Sequence, residues 1–131
     1  MVEIPDSHPR KKSLLSRQKI VEGNDKGLLA ESAMIAHGRG EAFDYLLGER
    51  TTESAESAIR ESVARLRAAN NPVISVNGNT VLLAGKKALR LAAFLRCPIE
   101  VNLYYRTPER VSGLLSLLEK QRILVLEEPE P

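Results

Sequence analysis

A short β-branched run, Val73 to Val76, is bounded by Pro72 on one side and by Asn77 and Gly78 on the other. A run of this length and composition between such residues is typical of a buried parallel strand. A parallel strand needs a partner strand that is reached through a crossover connection, which is usually a helix. The run therefore predicts that helices and further strands alternate after it.

The rest of the chain shows this alternation. Pro98 precedes a second apolar run, and Thr107 followed by Pro108 is a strong helix-start signal. The predicted elements are strand 73–76, a helix most clear over 86–95, strand 99–104, a helix from Thr107 to about residue 121, and strand 123–126. This order predicts an α/β fold with a three-stranded parallel βαβαβ unit, half of a Rossmann-like fold. One edge of such a sheet is left open.

The chain before residue 71 has helical patterns only. The predicted helices cover about 9–23, 28–36, 41–47 and from Thr51 or Thr52 to about Asn70, where Asn71 and Pro72 follow. The last of these has an apolar stripe: Ala55, Ala58, Ile59, Val63, Leu66 and Ala69. We thus expect one domain over 1–131, made of a helical part (1–70) and a βαβαβ part with a polar tail from Glu127 (71–131).

Composition excludes several classes of protein. The chain has 19 basic and 17 acidic residues, which are interleaved, so a nucleic-acid partner is not expected. No apolar run is long enough for a membrane span, and the N-terminus does not resemble a secretory signal. A single cysteine, Cys97, suits a reducing compartment, and with two histidines no zinc set is expected. We expect a cytoplasmic protein without a protein-bound metal.

The segment His37–Gly38–Arg39–Gly40 is the first candidate site. Glycines let a backbone approach a ligand closely, and a helix that starts near Gly40 would point its amides at an anion. Arg39 could bind a phosphate or a carboxylate through two hydrogen bonds. The alternative is a turn between two helices that carries a solvated arginine and a histidine bonded to backbone.

The predicted strand ends provide the second set. Asn77 and Asn79 follow the first strand, and Asn102 and Arg106 fall at the same edge of the sheet, where open α/β sheets bind ligands. The alternative for the asparagines is an ordinary turn that uses them for backbone reasons. Arg110 is interpreted as a surface arginine. Arg10 and Arg17 lie in a basic N-terminal segment, which is usually a solvated face. No phosphate-binding loop of the GxxxxGKS/T type is present.

Four stretches together resemble one family, the archaeal 4-phosphopantoate–β-alanine ligases, also called archaeal phosphopantothenate synthetases. They are IPDSHPR with SLLSRQKIVEG, MIAHGRGEAFDYLLGERTT, PVISVNGNT, and IEVNLYYRTPERV. The resemblance implies an ATP-dependent ligase of coenzyme A biosynthesis. The enzyme joins 4-phosphopantoate and β-alanine into 4'-phosphopantothenate, with AMP and diphosphate as products, through an acyl-adenylate. It also implies a Rossmann-like fold, a homodimer and Mg²⁺ with the ATP.

The same resemblance places Arg17 and Arg39 at positions that contact ATP. The substrate-binding candidates are Arg10, His37, Gly38, Gly40, Asn77, Asn79, Asn102 and Arg106. Within these, the 4-phosphate is expected on Arg106, Arg10 or backbone amides. Glu41, Asp44 and His37 are the open alternatives for the general base.

The chain resembles the N-terminal half of that family. Two other functions therefore stay open, a noncatalytic nucleotide-binding half and a fragment that dimerises through its unfinished sheet. We expect the isolated chain to associate, because aliphatic strands with an open edge need cover from a partner.

Overall fold

The computed structural model describes residues 3–127, and it confirms the α/β class. Five helices and two strands follow one another along the chain: α1 (Lys11–Asp25), α2 (Glu31–Leu47), α3 (Glu53–Ala68), β1 (Ile74–Val76), α4 (Gly78–Leu95), β2 (Ile99–Val101) and α5 (Pro108–Glu127). The predicted polar tail beyond Glu127, residues 128–131, lies outside the described residues. None of the described helices combines the length and the apolar character that crossing a bilayer requires.

The two strands form one parallel sheet in which Ile74 pairs with Ile99 and Val76 with Val101. Helix α4 connects them as the crossover. The face of the sheet that points away from the core is polar, because it carries Ser75 and Glu100. Ser75 Oγ donates to Glu100 Oε1 at 2.8 Å across the strand pair. This contact accounts for a glutamate inside an otherwise apolar strand.

The core lies between the sheet, α4 and α5. Its buried residues are Val76, Val81, Ala88, Leu114 and Leu118. Helix α1 packs against α2 and α4 and contributes the fully buried Ile20. Gly23 of α1 lies so close to Leu82 of α4 that a Cβ atom would fit only if the Leu82 side chain moved. A small residue at this position lets α1 approach α4 closely.

The predicted third strand is wrong, because residues 123–126 belong to α5. No Gly or Pro separates them from the preceding helix, so the helix continues. The pair Glu119–Arg122 supports its last turns, with Arg122 Nε donating to Glu119 Oε2 at 3.0 Å. The same hydrogen bond lowers the pKa of the Glu119 carboxyl below its ordinary value. The described sheet therefore has two strands.

The predicted break at residues 37–40 is also wrong, because α2 is one helix through this segment. Positive φ angles at glycine occur among the described residues only at Gly27 and Gly48, so Gly38 and Gly40 both have negative φ. A glycine inside a helix costs roughly 1 kcal/mol relative to alanine, which a 17-residue helix tolerates. Gly40 consequently does not start a helix, and the helix N-terminus that was expected to bind an anion there does not form.

Several element boundaries differ from the prediction. Helix α1 covers Lys11–Asp25 rather than 9–23, and β2 ends at Val101 rather than at residue 104. Helix α4 begins at Gly78, well before residue 86, and is kinked at Ala84. The helix starts predicted from Thr52 and Thr107 are confirmed, whereas α1 has no side-chain cap at its start. The Thr52 side chain accepts a hydrogen bond from Ala55 N, and Thr107 Oγ1 accepts one from Arg110 N at 3.2 Å.

Helix α3 carries the predicted apolar stripe on an exposed face. Ile59 is 51% exposed and Val63 is 47% exposed, and no residue of α3 is buried. Within residues 3–127, α3 has no extensive contact with another helix or strand. Its apolar stripe is therefore free to contact another surface.

Candidate functional site

A cavity of about 490 Å³ lies at the carboxyl ends of the two strands. Its walls come from residues 28–30, the first three turns of α2, the start of α4, the loop after β2 and Arg110 in the first turn of α5. Open α/β sheets bind their ligands at this position. First turns of helices carry the positive ends of the helix dipoles, so the cavity suits an anionic ligand.

Asn77 connects β1 to the cavity. Its Oδ1 accepts hydrogen bonds from Thr80 N at 3.0 Å and from Thr80 Oγ1 at 2.9 Å, and it thereby caps α4. The residue is also part of the cavity wall. Asn77 therefore has the backbone role that the sequence allows for it, since it caps α4. It also lies where a ligand in the cavity can reach it.

Asn79 has one satisfied and one unsatisfied side-chain atom. Its Nδ2 donates to Ala33 O in α2 at 3.0 Å, whereas its Oδ1 is buried and has no hydrogen-bond partner among the described residues. An unpaired buried acceptor costs about 1–3 kcal/mol, and a ligand that donates a hydrogen bond would recover this. Asn79 lines the same cavity.

Two arginines line the cavity from different helices. Arg39 is exposed on α2, next to the apolar Ile35 and Ala36 of the same wall. Arg110 comes from the first turn of α5, and its Nη1 donates to Tyr105 O at 2.9 Å. The interpretation of Arg110 as a plain surface arginine missed this position. The cap Thr107 marks Arg110 as a first-turn residue of α5, but the direction of its side chain depends on how α5 packs against the sheet.

Asn102 and Arg106 do not line this cavity. The backbone N–H of Asn102 donates to Val76 O at 2.9 Å, which holds the two strand ends side by side, but its side chain is exposed elsewhere. Arg106 lines a separate hollow of about 590 Å³ against Val111 and Leu115 of α5. The two strand ends thus lie side by side as predicted, but the side chains of Asn102 and Arg106 do not meet in the cavity.

The segment 37–40 is divided between two sides of α2. Successive residues of a helix are about 100° apart, so Arg39 faces the cavity while His37, Gly40 and Glu41 face α1. There they line a second groove of about 600 Å³, together with Asp44. His37 Nδ1 lies 2.9 Å from Glu41 Oε1. A Cβ atom added at Gly38 would meet no atom within 4 Å, and this glycine lines neither surface.

The N-terminal arginines also lie outside the cavity wall. Arg17 on α1 donates from Nη1 to Met34 O of α2 at 2.7 Å. Arg10 is paired with Glu49 at 3.2 Å and lies over the Tyr45 ring, 4.2 Å from its centre. Arg17 therefore joins α1 to α2, and Arg10 joins the start of α1 to the end of α2.

The described part of the chain contains no cluster of three or more His, Cys, Asp or Glu side chains that could hold a metal ion. The cavity wall, as far as residues 3–127 form it, has no carboxylate. Its polar side chains are two arginines, two asparagines, two tyrosines and a serine, a set rich in hydrogen-bond donors that suits oxygen anions.

Comparison with known proteins identifies relatives over nearly the whole chain. A family model described as phosphopantothenate/pantothenate synthetase matches residues 54–128. A 4-phosphopantoate–β-alanine ligase of Thermococcus onnurineus is 55% identical over 120 residues, which are 92% of this chain and 46% of the relative. A ligase of the same name from Methanospirillum hungatei is 50% identical over 124 residues, covering 95% of this chain and 51% of the relative. The chain spans about half the length of these curated relatives.

Proposed function

Because the chain belongs to the phosphopantothenate/pantothenate synthetase family, we propose that it carries part of the active site of an ATP-dependent 4-phosphopantoate–β-alanine ligase. The observation that carries the proposal is the cavity at the strand ends, where two arginines meet the first turns of three helices. Both 4-phosphopantoate and ATP are anions. A site that brings them together must neutralise phosphate charge, and these groups can do so.

The proposed reaction has two steps. A carboxylate oxygen of 4-phosphopantoate attacks the α-phosphorus of ATP, so that an acyl-adenylate forms and diphosphate leaves. The amine of β-alanine, after losing a proton, then attacks the acyl carbon, and AMP leaves as 4'-phosphopantothenate forms. Fixed cations lower the repulsion in the first step.

Arg39 is the proposed direct contact to ATP within this chain. It is exposed, lies on the cavity wall and has no need to leave a buried position in order to reach a phosphate. Arg17 is a proposed ATP contact on the strength of the resemblance alone. The geometry of Arg17 supports a second role, since its bond to Met34 O holds the helix that carries Arg39.

Mg²⁺ is proposed to accompany ATP. The described cavity wall offers no carboxylate to coordinate it, so no residue of this chain is assigned to the ion. Phosphate oxygens and water hold much of the coordination shell of Mg²⁺ in such sites. The proton acceptor for β-alanine is likewise unassigned, because Glu41, Asp44 and His37 line the second groove and not the cavity.

We also propose that two copies of the chain associate through α3. The exposed stripe around Ile59 and Val63 supports this, because an apolar helix face in water is stabilised by burial. The two ends of α3 differ in charge, with Glu53 and Glu56 in the first turn and Arg65 and Arg67 in the last, while Arg60 and Glu61 lie between them. An antiparallel pair of α3 helices would place the acidic end of each beside the basic end of the other.

Two finer proposals concern the sheet and the compartment. The parallel β1–α4–β2 unit supports a Rossmann-like sheet in the longer relatives. The single thiol of Cys97 supports a cytoplasmic location.

The test of the proposed function is product formation by the chain. AMP release that requires ATP, 4-phosphopantoate and β-alanine together would support a ligase, and it should fall in Arg39→Ala. ATP binding without AMP release would favour a noncatalytic nucleotide-binding half. Association without ATP binding would favour a dimerising fragment.

A further inference from the structure

We propose that Arg110 binds the 4-phosphate of 4-phosphopantoate, in the cavity between α2, α4 and α5. The assignment rests on the proposed function and adds the residue that recognises the phosphorylated end of the acid. The sequence alone predicts a surface arginine at this position.

The placement of the cations supports Arg110 over the other candidates. Arg106 lines a different hollow, and Arg10 is already paired with Glu49. Among the described residues on the cavity wall, the cations are Arg39 and Arg110. Because the two arginines come from different helices, they can bind two separate anionic reactants, one each.

Arg110 is also held ready for an anion. Its Nη1 donates to Tyr105 O at 2.9 Å, which fixes the plane of the guanidinium and leaves the other N–H groups for a ligand. An ordered guanidinium loses less entropy when it forms paired hydrogen bonds to phosphate. The position is unfavourable without a ligand, because a cation in the first turn of a helix is repelled by the positive end of the helix dipole. A bound phosphate would remove that repulsion.

The remaining wall fits the rest of the molecule. 4-Phosphopantoate has two methyl groups on one carbon and one free hydroxyl between its phosphate and its carboxylate. Leu103 and Tyr105 provide apolar surface on the wall that Arg110 also lines. Asn79 provides a buried Oδ1 without a partner among the described residues, which is the acceptor that a hydroxyl donor needs. The phosphate, the methyl groups and the hydroxyl of the ligand thus each have a counterpart on the wall.

The test compares ligands with and without the phosphate. Calorimetry measures the affinity of the unchanged chain, Arg110→Ala and Arg106→Ala for 4-phosphopantoate, pantoate and ATP. We expect Arg110→Ala to lower the affinity for 4-phosphopantoate about ten- to a hundredfold, which is the range for the loss of a charge-assisted hydrogen bond. The affinities for pantoate and for ATP should stay unchanged. Arg106→Ala removes the same charge four residues away and should leave all three affinities unchanged. Arg110→Lys should lose part of the affinity, since it keeps the charge without the planar pair of donors.

Other results would overturn the assignment in distinguishable ways. If Arg110→Ala lowers the affinities for 4-phosphopantoate and pantoate equally, or lowers the affinity for ATP, Arg110 does not recognise the 4-phosphate. A loss in Arg106→Ala alone would transfer the role to the other hollow. Failure of the unchanged chain to bind 4-phosphopantoate would overturn the proposed function and this assignment with it. Circular dichroism spectra that match the unchanged chain establish that each variant is folded.

Discussion

Two consecutive carbonyl groups in the first turn of α2 accept hydrogen bonds from side chains of other helices. Asn79 of α4 donates to Ala33 O, and Arg17 of α1 donates to Met34 O. These bonds fix where α2 begins relative to the strand ends. They therefore also fix the wall from which Arg39 faces the cavity.

Arg17→Ala should lower the free energy of unfolding by about 1–2 kcal/mol, because a charged, partly buried hydrogen bond between two helices is lost. Urea unfolding measures the change. Lys19→Ala removes a cation from the same helix and should change stability by less than about 0.5 kcal/mol. Equal effects of the two substitutions would mean that the Arg17–Met34 bond does not hold α1 to α2.

Arg39→Ala should weaken ATP binding about tenfold or more without lowering stability, because Arg39 is exposed and its proposed contact is charge-assisted. Calorimetry with ATP and a thermal melt measure the two quantities. Arg122→Ala is the matched control, since it removes an exposed arginine that pairs locally with Glu119. Unchanged ATP affinity in Arg39→Ala would exclude the proposed contact.

Single residues show where sequence reasoning reached its limit. Asn77 and Asn79 were correctly placed at a strand end, because residues that follow a strand directly stay close to it. Arg106 and Arg110 are only four residues apart, yet they line different hollows. The helix that starts at Pro108 turns Arg110 toward the strands, and this orientation depends on tertiary packing rather than on residue type.

The elements themselves were predicted best where a local signal marks their start. Thr52 and Thr107 cap their helices as expected, and Pro72 and Asn77 bracket β1. The ends of helices lacked such signals. An apolar run of four residues, 123–126, fits a strand or a buried helix equally well, and here it continues α5. Helix α5 is already formed around Leu118, and no residue between 118 and 123 ends it.

The continuity of α2 leads to a prediction about its glycines. Gly38→Ala and Gly40→Ala should each raise the free energy of unfolding by about 0.5–1 kcal/mol, because both positions have helical neighbours and open space for a methyl group. Chemical unfolding of each variant measures this. Gly48→Ala is the opposite control, since its φ of 82° penalises any side chain and stability should fall. Destabilisation by Ala at both 38 and 40 would favour a break in the helix.

At the scale of the whole molecule, one face of the sheet and one face of α3 are left uncovered by the described residues. The α/β class was predictable because strands and helices alternate in the sequence. The number of strands in the sheet was not predictable, because it depended on residues 123–126, a run that fits a strand and a helix equally well. The expectation that an aliphatic sheet must be covered by a partner applies only in part, because the outer face carries Ser75 and Glu100. Exposed apolar side chains instead lie on α3, at Ile59 and Val63, and near the end of α2, at Phe43 and Leu46.

Association through α3 can be tested with two substitutions that add the same charge. Ile59 is in the centre of the apolar stripe, whereas Ala64 is exposed on the opposite side of the helix. We expect the unchanged chain and Ala64→Asp to sediment as dimers at tens of micromolar. Ile59→Asp should sediment as a monomer, because an antiparallel pair would bury two unpaired carboxylates, at a cost of several kcal/mol. A monomeric unchanged chain, or identical behaviour of the two variants, would show that α3 does not join two copies.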